Sequence, residues 1–201
     1  MASVKDLEAV FGAEPRLTPG AVRQLTRVLQ EGGLLPRAKH GSRGPLPELT
    51  PQHCAAWLVG LAVTRRSGAR RNIKEAVRRI NQVLGLVAGG VQPRLSFGDL
   101  LAKLIVDYVN QQWSDEWRPL RLTFINDPME PTVELKLAVV DGDGAEQFEE
   151  QVFVTREYLK KTKKEIVGQD WTEFSDAFVI GAEVLFLFHK VFEGAEPEGA
   201  A

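Results

Sequence analysis

The chain holds a single cysteine, Cys54, among 201 residues. That excludes an internal disulfide, and no paired Cys/His motifs offer a zinc site. Long apolar runs are also missing. The longest, Phe178 to Phe188, is broken by Glu183 and is too short to span a bilayer. The first residues lack the apolar core of a signal peptide, so a reducing cytoplasm is the expected setting. There is no phosphate-binding Walker loop and no dinucleotide fingerprint. Carboxylates are plentiful, but no spacing singles out a catalytic pair. His53 and Cys54 are sequence neighbours, and neighbours on a helix do not face each other. His189 sits in an apolar helix and reads as an interior histidine. No enzymatic activity, metal or cofactor is expected.

What is present is a division of charge. Residues 1–93 hold 14 Lys and Arg against 6 Asp and Glu, a net of +8; residues 94–201 hold 11 against 21, a net of −10. The overall net charge of −2 conceals this. Such asymmetry points to two modules with different partners, the basic one suited to a polyanion.

Within the basic half, Leu17 to Val63 reads as helix, basic glycine-rich loop, helix. Val4, Leu7, Val10 and Phe11 predict a short amphipathic helix ending near Gly12. Thr18 then caps a second helix over 18–31, with Pro19 at its first position and Gly32-Gly33 as its stop. Val22, Leu25 and Leu29 mark its inner face. Arg23, Gln24, Arg27 and Gln30 fall on the outer one. Arginine and glutamine make paired contacts to guanine and adenine edges in the major groove, so Arg23, Gln24 and Arg27 are the candidate base contacts. The loop 37–48 carries Arg37, Lys39, His40 and Arg43 among glycines and prolines. The start signal repeats at Thr50-Pro51, with Leu58, Leu61 and Ala62 as buried candidates. A run of four arginines without an acid follows, Arg65, Arg66, Arg70 and Arg71. With Arg16, Arg37, Lys39 and Arg43 these are the candidate phosphate contacts. Asn72 caps a further helix, with Glu75 as capping-box partner.

Gly33-Leu34-Leu35-Pro36 and Leu49-Thr50-Pro51-Gln52-His53 carry a resemblance. The arrangement from about Lys5 to Val63 resembles the N-terminal DNA-binding domain of the MerR family of transcription regulators. The likeness is closer to its phage- or mobile-element-associated members than to metal or drug sensors. Leu25-Thr26-Arg27-Val28 stands where that family has an arginine-tyrosine-tyrosine centre, and no long coiled coil follows. The resemblance implies binding of double-stranded DNA, as a dimer, with helix 18–31 as recognition helix and the basic loop as wing. It implies no effector.

Beyond Ala88-Gly89-Gly90, read as a linker, Ser96 starts a helix running to Ser114-Asp115. The period then changes to two. Strands are expected over 118–125, across Val133 to Val139, and over 148–154, joined by turns at Asn126-Asp127-Pro128 and Asp141-Gly142-Asp143-Gly144. Asp141, Asp143 and Glu146 lack the remaining ligands of a calcium loop, so the turn reading stands. Residues 156–164 read as a short basic helix. Residues 171–178 are read as a further strand, though ambiguously. Residues 182–192 form an apolar helix for the core or a subunit interface.

The expected fold class is α+β. A winged helix-turn-helix domain spans 1–90, an α+β dimerisation or interaction domain with an antiparallel β-meander spans 94–193, and 194–201 is a disordered tail. The expected function is a dimeric, sequence-specific DNA-binding regulator. Two alternatives remain: an oligomeric recognition subunit for phage DNA packaging, and a protein-interaction or anti-defence module without DNA binding, whose acidic half mimics nucleic acid.

Overall fold

The structure, a computed structural model, describes residues 2–37, 47–64, 72–88, 95–110, 117–125, 131–140, 146–155, 177–181 and 183–193. The expected turns at 126–128 and 141–144, the basic helix 156–164 and the tail 194–201 lie outside the described residues. So do Lys39, Arg43, Arg65, Arg66, Arg70 and Arg71.

The fold is α+β, with six helices and one five-stranded antiparallel sheet among the described residues. Helix α1 (Val4–Gly12) starts at Ser3. The Ser3 hydroxyl accepts from the Asp6 amide while the Asp6 carboxylate accepts from the Ser3 amide, a reciprocal cap that the sequence reading passed over. Helix α2 (Pro19–Glu31) starts as expected, with the Thr18 hydroxyl accepting from the Ala21 amide. Helix α3 (Pro51–Thr64) is buried over most of its circumference and packs against α2, α4 and α5. Helix α4 (Ile73–Leu84) is capped by Asn72, whose side chain accepts from the Glu75 amide. The Glu75 carboxylate does not complete the expected reciprocal box. It accepts from Arg78 and Arg79 instead.

The expected linker is in part a strand. Strand β1 (Val87–Ala88) pairs with the end of β4 (Glu146–Val154), Val87 opposite Val154. Helix α5 (Phe97–Val109) follows and ends at Asn110, short of the expected Ser114. Strands β2 (Trp117–Ile125), β3 (Thr132–Val140) and β4 form the expected meander. Strand β5 (Ala177–Gly181) adds to β2, so the order is β1-β4-β3-β2-β5, and among the described residues β1 is the one strand outside the expected set. Of the stretch 171–178, Ala177 and Phe178 belong to β5, and 171–176 lie outside the described residues. Helix α6 (Glu183–Glu193) closes the described chain.

Period two in the sequence becomes one apolar face on this sheet. Leu122 lies opposite Leu135, Phe124 opposite Val133, and Val133 opposite Phe153. All five are buried. Phe97 of α5 seats on them, its ring centroid 5.9 Å from Phe124 and 5.2 Å from Phe153. Above, Phe11 of α1 meets Trp57 of α3 at 4.2 Å and Phe188 of α6 at 5.1 Å. The main buried cluster therefore runs from Ala2 to Val191, with Leu86 and Phe97 as its members on either side of the charge boundary. The apolar faces of α5 and α6 enter this core: Leu101, Leu104, Ile105, Leu185, Phe188 and Val191 are buried within the chain.

Candidate nucleic-acid interface

Helix α2 is amphipathic because its apolar residues recur at helical spacing, and the structure buries that face. Val22, Leu25, Thr26, Val28 and Leu29 are buried. Val28, outside the expected inner set, packs on Ala76 and Ile73 of α4. Thr26 is tolerated there because its hydroxyl donates to the Val22 carbonyl at 3.0 Å. What remains outside is one narrow stripe: Gly20, Arg23, Gln24, Arg27 and Glu31, all exposed.

The three candidate base-contact residues thus share one solvent-facing stripe. Their side chains diverge along it. Arg23 Nε donates to the Pro19 carbonyl at 3.4 Å, towards the start of the helix. Arg27 Nε donates to Glu31 Oε1 at 2.7 Å, towards its end, and this pairing raises the Arg27 pKa. Gln24 lies between them. Gln30, expected on the outer face, is half-buried and donates to the Pro36 carbonyl at 3.1 Å.

The end of α2 is closed by local hydrogen bonds and a glycine. The Leu34 amide donates to the Leu29 carbonyl at 2.8 Å and the Gly33 amide to the Gln30 carbonyl at 3.2 Å, a Schellman cap. Gly33 sits at φ +73°, in the left-handed region open to glycine. Gly32 is held small for a different reason: a Cβ there would lie 2.2 Å from Val77 Cγ2 on α4. Leu35 is buried, Pro36 holds Gln30, and Arg37 emerges exposed at the start of the loop. At the other end the Leu49 amide donates to the Ala2 carbonyl at 2.9 Å, and Ser3 bridges Glu48. The loop that carries Lys39 and Arg43 is therefore pinned at both ends, by the C-terminus of α2 and by the start of α1.

Arg16 is exposed ahead of α2 and lines a shallow cavity with Leu17, Thr18, Ala21, Val22, Leu25, Leu61 and Thr64. Thr64, the last described residue of α3, shares this cavity with Arg16 and the N-terminus of α2. A second groove lies between α1 and α2. Ala9, Gly12, Ala13 and Pro19 floor it, and Lys5, Glu8 and Arg23 edge it. Lys5 is a cation the sequence reading missed, and its only sequence signal was its place in the first turn of α1.

Two further arginines of this half, Arg78 and Arg79 of α4, are engaged with an acid of their own helix. Arg78 gives Glu75 two hydrogen bonds, at 2.7 and 2.8 Å, and Arg79 a third at 2.9 Å. Those bonds hold the Glu75 carboxyl down to about 2.

Other reactive side chains of the described chain are structural. Burial pushes the Cys54 thiol up to about 12, so it stays protonated. The Thr50 hydroxyl accepts from the His53 amide at 3.3 Å, while His53 Nδ1 accepts from the Thr50 amide at 3.0 Å. Histidine here plays the part glutamate takes in a capping box. An accepting Nδ1 requires the neutral ring, and burial lowers the His53 pKa in the same direction. His189 Nδ1 donates to the Val109 carbonyl at 3.1 Å, and its Nε2 lies 2.8 Å from Glu193, tying α6 to the end of α5. No helix among the described residues is long and apolar enough to cross a membrane.

Comparison of the chain with protein-family models, curated proteins and solved structures gives no match, so the likeness to MerR-type domains rests on the motif residues themselves.

Proposed function

We propose that the chain is a sequence-specific, double-stranded DNA-binding regulator of the bacterial cytoplasm, without enzymatic activity, in which α1 and α2 act as a helix-turn-helix and the loop 37–48 as its wing. One observation carries this reading. Arg23, Gln24 and Arg27 stand together on the exposed stripe of α2, while the opposite face of the same helix is fixed in the core. A helix held rigidly along one face and presenting arginine and glutamine along the other is the element that enters a major groove. Arg16 and Lys5 flank the start of that helix and Arg37 its end, where phosphates on either side of the groove would pass.

The acidic half of the chain turns away from DNA in this reading and carries the second subunit. The core already occupies the apolar faces of α5 and α6, so a dimer would use other surfaces of 94–193.

The test is a salt titration of full-length chain on a pool of random and genomic DNA fragments. The expected result is selective retention of particular fragments at physiological salt. Replacing Arg27 by Ala relaxes the preference among them. Replacing Arg16 or Arg37 weakens binding to all fragments and lowers the salt slope by about one unit per lost contact. Binding that is equal for every fragment and vanishes with modest salt would sink the proposal.

A further inference from the structure

On the reading of α2 as the helix that meets DNA, Arg27 has a neighbour that limits what it can contact. Its Nε donates to Glu31 Oε1 at 2.7 Å, with the Arg27 side chain 78% exposed and that of Glu31 28% exposed. A guanidinium carries N–H donors on Nε and on both Nη atoms, and no acceptor. Glu31 takes the Nε donor. The Nη atoms at the far end are left, and they present two parallel donors in one plane. In the major groove only guanine offers two adjacent acceptors, O6 and N7. Adenine pairs an acceptor with a donor, and a group without an acceptor cannot satisfy it.

The pair lies at the surface, where a single ion pair is too weak to withhold an arginine from a polyanion. What it does is reduce the rotamer freedom of a long side chain before contact. Arg23 is folded towards Pro19 at the other end of the stripe, where its Nε meets a backbone carbonyl rather than a carboxylate. The two arginines are therefore not equivalent.

We infer that Glu31 is a positioning residue that holds Arg27 for a two-donor contact with guanine, so that Arg27 and Glu31 together specify one G·C base pair. The inference rests on the DNA-binding reading of α2.

The experiment uses full-length wild-type chain to select a preferred site from a random duplex library. Affinities are then measured for that site and for each single base-pair change, with wild type, Arg27→Ala, Glu31→Ala and Glu31→Gln. Thermal unfolding confirms that each variant is folded. Wild type is expected to lose about tenfold or more at one G·C pair. Glu31→Ala should flatten discrimination at that pair alone and leave the other positions unchanged. Glu31→Gln, which keeps an oxygen for Nε, should restore part of it. Removing an acid near DNA also strengthens binding to every sequence, so the readout is the ratio between sites rather than the affinity. If Glu31→Ala raises all affinities equally and keeps the ratio, Glu31 is only a repelling surface acid and the inference is overturned. Should wild type select no sequence at all, the reading of α2 fails first and is seen to fail without any variant.

Discussion

Helices α2 and α3 begin alike and end as opposites. Thr18-Pro19 opens one and Thr50-Pro51 the other. Yet α2 keeps an open stripe of Gly20, Arg23, Gln24, Arg27 and Glu31, while α3 buries every residue from Cys54 to Gly60. The start signal is local chemistry, a hydroxyl accepting an amide hydrogen bond and a ring that presets φ, and it acts the same way in both. The difference lies in what surrounds each helix. Helix α3 is hemmed in by α2, α4 and α5, so little of it is open to solvent. Helix α2 lies at the surface, braced by α1, α3 and α4, with one side open to solvent. The capping detail differs too, because His53 closes a reciprocal cap on α3, and no residue of α2 is seen to do so.

That contrast predicts a graded set of outcomes. The largest effect belongs to α3. Trp57 is fully buried against Phe11, and Trp57→Ala should cost about 3–5 kcal/mol in chemical unfolding. Trp57→Phe should cost clearly less, because the indole Nε1 has no hydrogen-bond partner among the described residues and its removal relieves a buried donor. An equal loss for both would mean that ring volume does not hold α3 in place.

Next comes the brace behind α2. Gly32→Ala places a Cβ 2.2 Å from Val77 Cγ2, so it should cost about 1–3 kcal/mol by forcing α2 and α4 apart. DNA affinity should fall with it, since the loop starts from the same cap. Unchanged stability would show that Val77 yields freely.

A smaller loss, about 1 kcal/mol, is expected for Thr50→Ala through the cap of α3. The partner in that cap makes it pH-dependent. The folded pKa of His53 is lowered, so the unfolded chain binds more protons in the window below the ordinary value of 6.5. The stability from His53 is complete above 6.5 and is lost as pH falls towards the folded value. His53→Gln should flatten the unfolding curve in that window. A variant as steep as wild type there would exclude His53 as the cause. Glu75 acts in a lower window. With its folded value near 2 and an ordinary one of 4.5, its contribution is complete above 4.5 and is lost as pH drops towards 2. Glu75→Gln should remove that part of the acid sensitivity and leave the His53 window untouched.

The smallest stability effect belongs to the open stripe. Arg23→Ala and Gln24→Ala should each stay within about 0.5 kcal/mol in unfolding while lowering DNA affinity. A stability loss as large as that of Trp57→Ala would mean the stripe is covered in solution, and α2 could not then be the reading helix.

Much of this was legible in the sequence, and the reasons are local. Thr18, Asn72 and Ser96 act as caps because a short polar side chain can reach an amide three residues on. Leu122, Phe124, Val133 and Leu135 lie on one face because side chains alternate along a strand. Arg23, Gln24 and Arg27 share a stripe because a helix turns every 3.6 residues. What was not legible depended on groups far apart in the chain. Residues 87–88 became a strand because β4 offered an edge to pair with. Gln30 turned inward because Pro36 curls back over it, and Glu75 left its cap because two arginines reached it first. The pairing of Arg27 with Glu31 sat at helical spacing and could have been read, but its bearing on a base contact required seeing which nitrogen it uses.

The sequence by itself determined the starts of α2, α3, α4 and α5, the sheet period, the charge division and the outward placing of Arg23, Gln24 and Arg27, since each follows from backbone sterics and near-neighbour spacing. Only the tertiary structure decided that both halves share one core and that α3 is walled in while α2 is open. Those outcomes depend on which apolar surfaces can be buried together, and packing of that kind is settled by contacts between residues distant in the chain.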